Sequence, residues 1–297
     1  MLKQFIKYQS LGNDFILFDW KDRSELSIVD CIQHPQWGSY VVKCCDRHRG
    51  IGADGVLILK KNIDGLPEML IFNSDGSPAQ ICLNGIRCCA HYLACQNPGM
   101  QTMNIFSGKR SIGCQIISSD IPNVTQKSAL AKPKIRFLNH VRYKYLQIMT
   151  HVSAPVYEKL ISVSIGERIF NGHCVDVGNP HFVLFEKTEL GWLSQHGMLI
   201  ERHPLFEQKT NVEFVWQENE DDPATYRVLV FERGCGITQS CSSGAVAVMV
   251  ALHHLGMIKA EQPTNIVMLG GILECTISQS GDVSLKGSAD PVFWGKN

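Results

Sequence analysis

Two stretches decide how this chain is read: Phe72-Asn-Ser-Asp-Gly-Ser-Pro-Ala-Gln-Ile-Cys82-Leu-Asn-Gly85 and Phe231-Glu-Arg-Gly-Cys-Gly-Ile-Thr-Gln-Ser-Cys241-Ser-Ser-Gly244. Each begins with a Phe closing an apolar run and reaches a Cys ten residues later. Two residues and a Gly follow each thiol, and then an apolar segment of helical character. The same thiol-presenting device therefore occurs twice.

Working outward, a second pair of matching segments precedes the first. Leu11-Gly-Asn-Asp-Phe-Ile-Leu-Phe18 matches Val177-Gly-Asn-Pro-His-Phe-Val-Leu-Phe185. From Gly12 to Cys82 is 70 residues, and from Gly178 to Cys241 is 63. Two features recurring in the same order over half the chain imply duplicated domains, not a short-period solenoid. Strands are expected at Phe15–Phe18, Gly55–Leu59 and Ser111–Ile117, and again at Phe182–Phe185, Arg227–Phe231 and Gly271–Ser278. Helices are expected at Gly85–Leu93 and Gly244–Leu255. The alternation favours the α+β class: two similar, pseudo-symmetric domains, each a sheet wrapped around a central helix. We place the N-terminal domain at residues 1–126 and the C-terminal domain at 127–285. Pro122 and Pro133 punctuate a linker over Ile121–Lys134. The C-terminal segment 286–297 is expected to return to the first domain.

Composition narrows the function. The 297 residues carry 28 Lys+Arg and 28 Asp+Glu, a formal net charge of zero. Nucleic acid and anionic membranes usually require a basic surplus, so neither is an expected partner. The densest basic cluster, Arg47-His48-Arg49, reads as a solvated loop or a structural ion pair. No apolar run reaches the roughly 18–20 residues of a membrane span, and the chain reads as cytoplasmic. The 12 cysteines are too dilute for a disulfide scaffold and lack zinc-ligand spacing, so no metal is expected. No dinucleotide fingerprint or P-loop is present, and no lysine stands out for a pyridoxal cofactor. The expected cofactor is none.

A Cys at a helix start sits beside unpaired N–H groups and a partial positive charge, which favour its thiolate. The same groups bind carboxylates. Two such thiols suit two-base racemisation: one takes an α-proton, and the other returns a proton on the opposite face. By chemistry alone Cys82 and Cys241 remain compatible with a structural role, and Asn73, Asp75 and Ser77 are also ordinary turn formers.

The motifs together resemble the diaminopimelate epimerase family nearly end to end. Besides the two thiol stretches, the resemblance rests on Leu11-Gly-Asn-Asp-Phe15, Asp46-Arg-His-Arg-Gly-Ile-Gly-Ala-Asp-Gly55, Gly178-Asn-Pro-His181, Thr210-Asn-Val212 and Lys286-Gly-Ser-Ala289. It implies that each domain is a β-barrel-like sheet wrapped around a central helix, with the active site in the cleft between them, and it implies cofactor-independent interconversion of LL- and meso-diaminopimelate, a precursor of lysine and peptidoglycan, by a homodimer. It implies Cys82 and Cys241 as the base/acid pair, and a small amino acid held by Asn13, Asn73, Asn179, Asn211, Glu232 and Arg233. Leu83, Asn84 and Gly85, with Ser242, Ser243 and Gly244, would offer N–H groups to the reacting carboxylate. The chain departs from the family pattern at Leu83 and Ser242, where glycine is usual, and at Ile237, where Glu is frequent. A side chain at Leu83 would crowd the substrate, and a positive φ there would be costly. Relaxed specificity, admitting an amino acid such as glutamate, is therefore one alternative. A thiol redox or binding protein is another.

Overall fold

The computed structural model describes residues 4–20, 28–79, 81–97, 99–118, 146–153, 155–217, 219 and 221–296. The residues expected to form the linker, and the 126/127 boundary, lie outside them. In chain order the first elements are β1 (Gln4–Ser10), β2 (Asn13–Asp19), α1 (Ile28–Gln33), α2 (Trp37–Cys45), β3 (Gly55–Lys61) and β4 (Pro67–Asn73). There follow α3 (Leu83–Gln96), β5 (Thr102–Ser107), β6 (Arg110–Ser118), β7 (Leu146–Val152), β8 (Val156–Ile165), β9 (Arg168–Asp176) and β10 (Pro180–Leu184). Next come α4 (Leu190–Glu201), β11 (Asn211–Trp216), β12 (Thr225–Glu232), β13 (Gly236–Ile237) and α5 (Ser242–His254). The chain ends with β14 (Thr264–Met268), β15 (Gly271–Ile277), β16 (Val283–Ser288) and β17 (Asp290–Lys296).

Two compact units form. One comprises Met1–Ser10, Asp14–Met149 and Ser288–Asn297; the other comprises Leu11–Asn13 and Thr150–Gly287. In the first, β2 and β3 run parallel, β3 and β4 antiparallel, β4 and β5 parallel, and β5 and β6 antiparallel. In the second the same alternation recurs along β10, β11, β12, β14 and β15. The duplication read from two short motifs thus extends to strand direction and pairing order. The last strand, β17, pairs antiparallel with β1.

Each unit wraps its sheet around one helix. In α3, residues Leu83 through His91 are all buried, and in α5 Gly244 through Leu252 are. A helix buried on every side has no solvent face, so it is central; the buried stretch of α5 is apolar throughout, whereas α3 also buries Asn84, Arg87 and His91. Three β-branched valines, Val246, Val248 and Val250, are weak helix formers in α5. Burial of each, at about 1.5–3 kcal/mol, outweighs that preference. The helix α3 packs on β1, β4, β5, β6 and β17, and α5 packs on β8, β9, β10, β11 and β15.

One main helix per half is expected from sequence; among the described residues the structure adds α1 and α2 to the first half and α4 to the second. Trp37, Val41, Cys44 and Cys45 of α2 join Phe5, Ile16, Phe18, Val56 and Ile58 in one core. Leu193 and Ile200 of α4 join Phe170, Phe182, Val212 and Phe214 in the other. The α2 and α4 segments are short and mixed in polarity, so only the partner sheets define their buried sides. Among the described residues no helix is long and apolar enough to cross a membrane.

Candidate active site

Both thiols are helix N-caps. Cys82 has φ −144° and ψ 103°, and its Sγ accepts the Gly85 N–H at 3.4 Å. Cys241 has φ −119° and ψ 103°, and its Sγ accepts the Gly244 N–H at 3.3 Å. An extended residue whose side chain turns back on the third N–H of the helix is the ordinary N-cap arrangement, here with sulfur in place of oxygen. One of the three N–H groups expected to bind a carboxylate is therefore engaged by the thiol in each unit.

The glycines make these caps possible. A Cβ on Gly85 would lie 2.9 Å from Leu57 Cδ2 and 3.1 Å from Met69 Sδ. A Cβ on Gly244 would lie 2.8 Å from Glu213 Oε1 and 3.3 Å from Cys241 Sγ. Beneath one helix start lie apolar atoms; beneath the other lies a buried carboxylate.

In the first unit, Asn84 is buried and its Oδ1 accepts from Arg87 Nη2. Arg87, fully buried, also donates Nε–H to Ser10 Oγ at 3.1 Å. Asn73 closes the turn before the thiol: its N–H donates to Ser77 O at 2.8 Å, and its Nδ2 donates to Ser77 Oγ at 3.1 Å. Arg47 is an ion-pair residue, as the structural alternative expected. It contacts Asp14 at 2.7 Å and Asp54 at 2.7 Å, and Lys7 lies 2.7 Å from Asp14. Although burial opposes the charge, the hydrogen bonds from Arg47 and Lys7 hold the Asp14 carboxyl at about 2.

In the second unit, His181 Nδ1 lies 2.7 Å from Glu213 Oε1, and both side chains are fully buried. His181 Nε2 lies 3.2 Å from Asn179 Oδ1. Asn211 ties two backbone segments together: Nδ2 donates to Pro180 O at 2.8 Å, and Oδ1 accepts from Arg233 N at 3.0 Å. The Arg233 side chain donates to Gln208 O at 3.2 Å. Glu232 accepts from Thr238 Oγ1 at 2.5 Å. Desolvation pushes the Glu232 carboxyl up to about 7, and neighbouring Glu213 adds to that rise. Cys241 shares a 3.4 Å contact with Ser243 Oγ. Burial raises the Cys241 thiol well above its ordinary range, and the Glu232 and Glu213 carboxylates raise it further. The helix-terminus effect anticipated from sequence is outweighed at this thiol.

Among the expected site residues, Glu232, Ser243 and Gly244 contact Cys241, and Gly85 contacts Cys82; Asn179 and Asn211 are instead bonded to His181, Pro180 and the Arg233 backbone, and Asn73 to Ser77. Asn13, at the start of β2, groups with the second unit. Three features escaped the sequence reading: the buried Arg87, the buried Glu213 and the Glu213–His181 pair. Glu213 had a faint signal, a charge inside the apolar run Val212-Glu-Phe-Val215.

A family model for diaminopimelate epimerase matches residues 5–119 and 173–292. A diaminopimelate epimerase of Halothermothrix orenii is 34% identical over 98% of this chain and 96% of its own length. One from Prochlorococcus marinus (strain NATL1A) is 34% identical over 100% of this chain and 99% of its own. The chain belongs to the diaminopimelate epimerase family. Solved structures extend the fold further. A probable proline racemase from Agrobacterium radiobacter K84 superposes with a TM-score of 0.72 at 9% identity, over 99% of this chain and 92% of that one. A hydroxyproline epimerase from Agrobacterium vitis gives 0.70 at 11% identity, over 99% and 90%.

Against the diaminopimelate epimerase pattern, the departures acquire structural meaning. Leu83 is the first residue of α3 and is 1% exposed. It is not among the residues with positive φ, which outside glycine are Leu11, Lys209 and Glu261 among those described. The strain expected at Leu83 is absent, because a helical first position suits any L-residue. Its side chain belongs to the core. Ser242 likewise begins α5 and is 3% exposed. Ile237, in β13, packs with the core beside Phe231.

Proposed function

We propose that this chain interconverts LL- and meso-diaminopimelate without a cofactor, using Cys82 and Cys241 as the base and acid of a two-base mechanism. The observation that carries this reading is the repeated thiol cap: two cysteines with the same backbone setting and the same Gly N–H contact, in a chain of this family.

The chemistry follows from the caps. Inversion at the α-carbon requires proton removal on one face and proton delivery on the other. A thiolate held at a helix start takes the α-proton, and the other thiol delivers its own. The developing charge on the substrate carboxylate meets the N–H groups of Leu83 and Asn84, and of Ser242 and Ser243. Asn13, Asn73, Asn179, Asn211, Glu232 and Arg233 hold the rest of the substrate, with the Arg233 guanidinium suited to the distal carboxylate. The protein acts as a cytoplasmic homodimer on a small amino acid and supplies a precursor of lysine and peptidoglycan.

Diaminopimelate incubated with the protein in deuterium oxide is expected to incorporate deuterium at one α-carbon as the isomers equilibrate, followed by NMR. Cys82→Ala and Cys241→Ala are each expected to lower isomer turnover by at least about 100-fold. Undiminished exchange from both isomers in either variant would refute the mechanism.

A further inference from the structure

Glu201 is the last residue of α4 and is 1% exposed. A carboxylate at this end of a helix faces the partial negative charge of the final carbonyl groups, which disfavours it. Burial adds a desolvation cost, and the cation bonded to its Oε2, Arg202 Nε at 3.0 Å, is half exposed. Helix stability does not explain a glutamate here; its bonding does.

Glu201 Oε1 accepts the Gly234 N–H at 3.2 Å. The Glu201 carbonyl, one of those left over at a helix end, accepts the Thr210 N–H at 3.1 Å. Thr210 precedes Asn211, whose Oδ1 accepts the Arg233 N–H at 3.0 Å. Arg233 precedes Gly234, so the bonds close a ring through Glu201, Thr210, Asn211, Arg233 and Gly234. Gln208, in the loop between α4 and β11, adds a strut by accepting from Arg233 Nη1 at 3.2 Å. Thr210 and Asn211 are buried like Glu201. Lys209, just before Thr210, has φ 58°, a setting that a residue with a side chain keeps only when its surroundings fix it.

We propose that Glu201 is a positioning residue for the reaction: by accepting the Gly234 N–H it holds the Glu232-Arg233-Gly234 turn, and so aims the Arg233 guanidinium at the distal carboxylate of the substrate. This deepens the proposed function and rests on it for the ligand that Arg233 holds. Glu201 acts through Gly234 and Arg233, at the far end of the substrate and not at the reacting carbon. The role needs an acceptor oxygen at the reach of a glutamate side chain. Glutamine presents an oxygen at the same reach and gives up only the pairing with half-exposed Arg202, which is worth little. Aspartate keeps the charge but ends about 1.5 Å short, and a bond already 3.2 Å long does not survive that.

The role has a kinetic signature. A grip on the distal carboxylate is the same before and during proton transfer, so its loss raises KM more than it lowers kcat. A residue that merely supported the fold would lower the melting temperature and the active fraction. Its loss would scale kcat and leave KM alone.

Glu201→Ala, Glu201→Asp and Glu201→Gln are compared in the intact chain. Diaminopimelate turnover gives KM and kcat. Hydrogen exchange read by mass spectrometry, without substrate, gives the protection of the Arg233 and Gly234 amides. Glu201→Ala is expected to raise KM about 10-fold with kcat within about 3-fold, and to exchange those amides at least about 10-fold faster. Glu201→Asp is expected to shift both the same way by less, and it decides the matter if Glu201→Ala fails to fold. Glu201→Gln is expected to keep both within about 2-fold of the unaltered protein. An unchanged KM in folded Glu201→Asp would overturn the proposal, and so would a Glu201→Gln as impaired as Glu201→Asp. If the unaltered protein does not turn over diaminopimelate, the proposed reaction fails by itself. Amide protection unchanged in Glu201→Asp would overturn the role of Glu201 in either case.

Discussion

Gly244→Ala is the sharpest probe of the second thiol site. The added methyl would sit 2.8 Å from Glu213 Oε1, about 0.6 Å inside an ordinary contact. Glu213 cannot swing away freely, because His181 holds the same oxygen at 2.7 Å. Overpacking of this kind costs about 1–3 kcal/mol, and straining a buried charged hydrogen bond adds to it. Alanine returns up to about 1 kcal/mol of helix propensity. The net loss is about 2 kcal/mol, or about 4–8 °C in melting temperature for a unit of this size. Gly85→Ala meets only Leu57 Cδ2 and Met69 Sδ, the ends of flexible side chains. Its expected loss is under about 1 kcal/mol, since methionine adapts readily. Both variants are measured by calorimetry and urea unfolding. A double-mutant cycle of Gly244→Ala with Glu213→Ala should recover about 1–2 kcal/mol as coupling. If Gly244→Ala melts with the unaltered protein, or if Gly85→Ala loses more, the contrast drawn between the two helix floors is wrong.

Three further outcomes are expected. Arg47→Met removes a guanidinium from Asp14, whose folded carboxyl at about 2 lies below its unfolded value near 4; that contribution is present above pH about 4 and lost as pH falls toward 2. The variant should lose about 1 kcal/mol at pH 6 and show a shallower acid limb in its stability profile, and an unaltered limb would contradict the ion-pair account. Glu232, raised to about 7 in the fold, contributes stability that is complete below about pH 4.5 and lost as pH rises through 7, so Glu232→Gln should gain stability at pH 8 relative to pH 5 when both are melted side by side. Leu83→Gly should cost about 3 kcal/mol through lost burial while leaving the ratio of diaminopimelate to glutamate turnover unchanged; a shift in that ratio would show that Leu83 reaches the substrate.

The duplication, the two central helices and the two thiols were legible because each depends on local order. A Phe ten residues before a Cys, and a Gly three after it, is a pattern along the chain. A helix apolar on all faces, as in Gly244 through Leu252, announces its own burial. The helices α2 and α4 were not legible, because their buried sides exist only against strands distant in sequence. Leu83 was misjudged for a similar reason. Its replacement of glycine raised a question of backbone strain that only the φ value and the 1% exposure could answer.

The sequence by itself determined the family and the repeat and pointed to the two thiols, since these reside in residue types and their spacing. Tertiary structure alone decided how the two sites differ. Leu57 and Glu213 occupy equivalent places, but each lies 25 or more residues from the thiol it underlies. Pairing of β2 with β3, and of β10 with β11, brings them beneath the helix starts. The charge environment of a thiol depends on distance in space, and that distance is set by strand register, not by position along the chain.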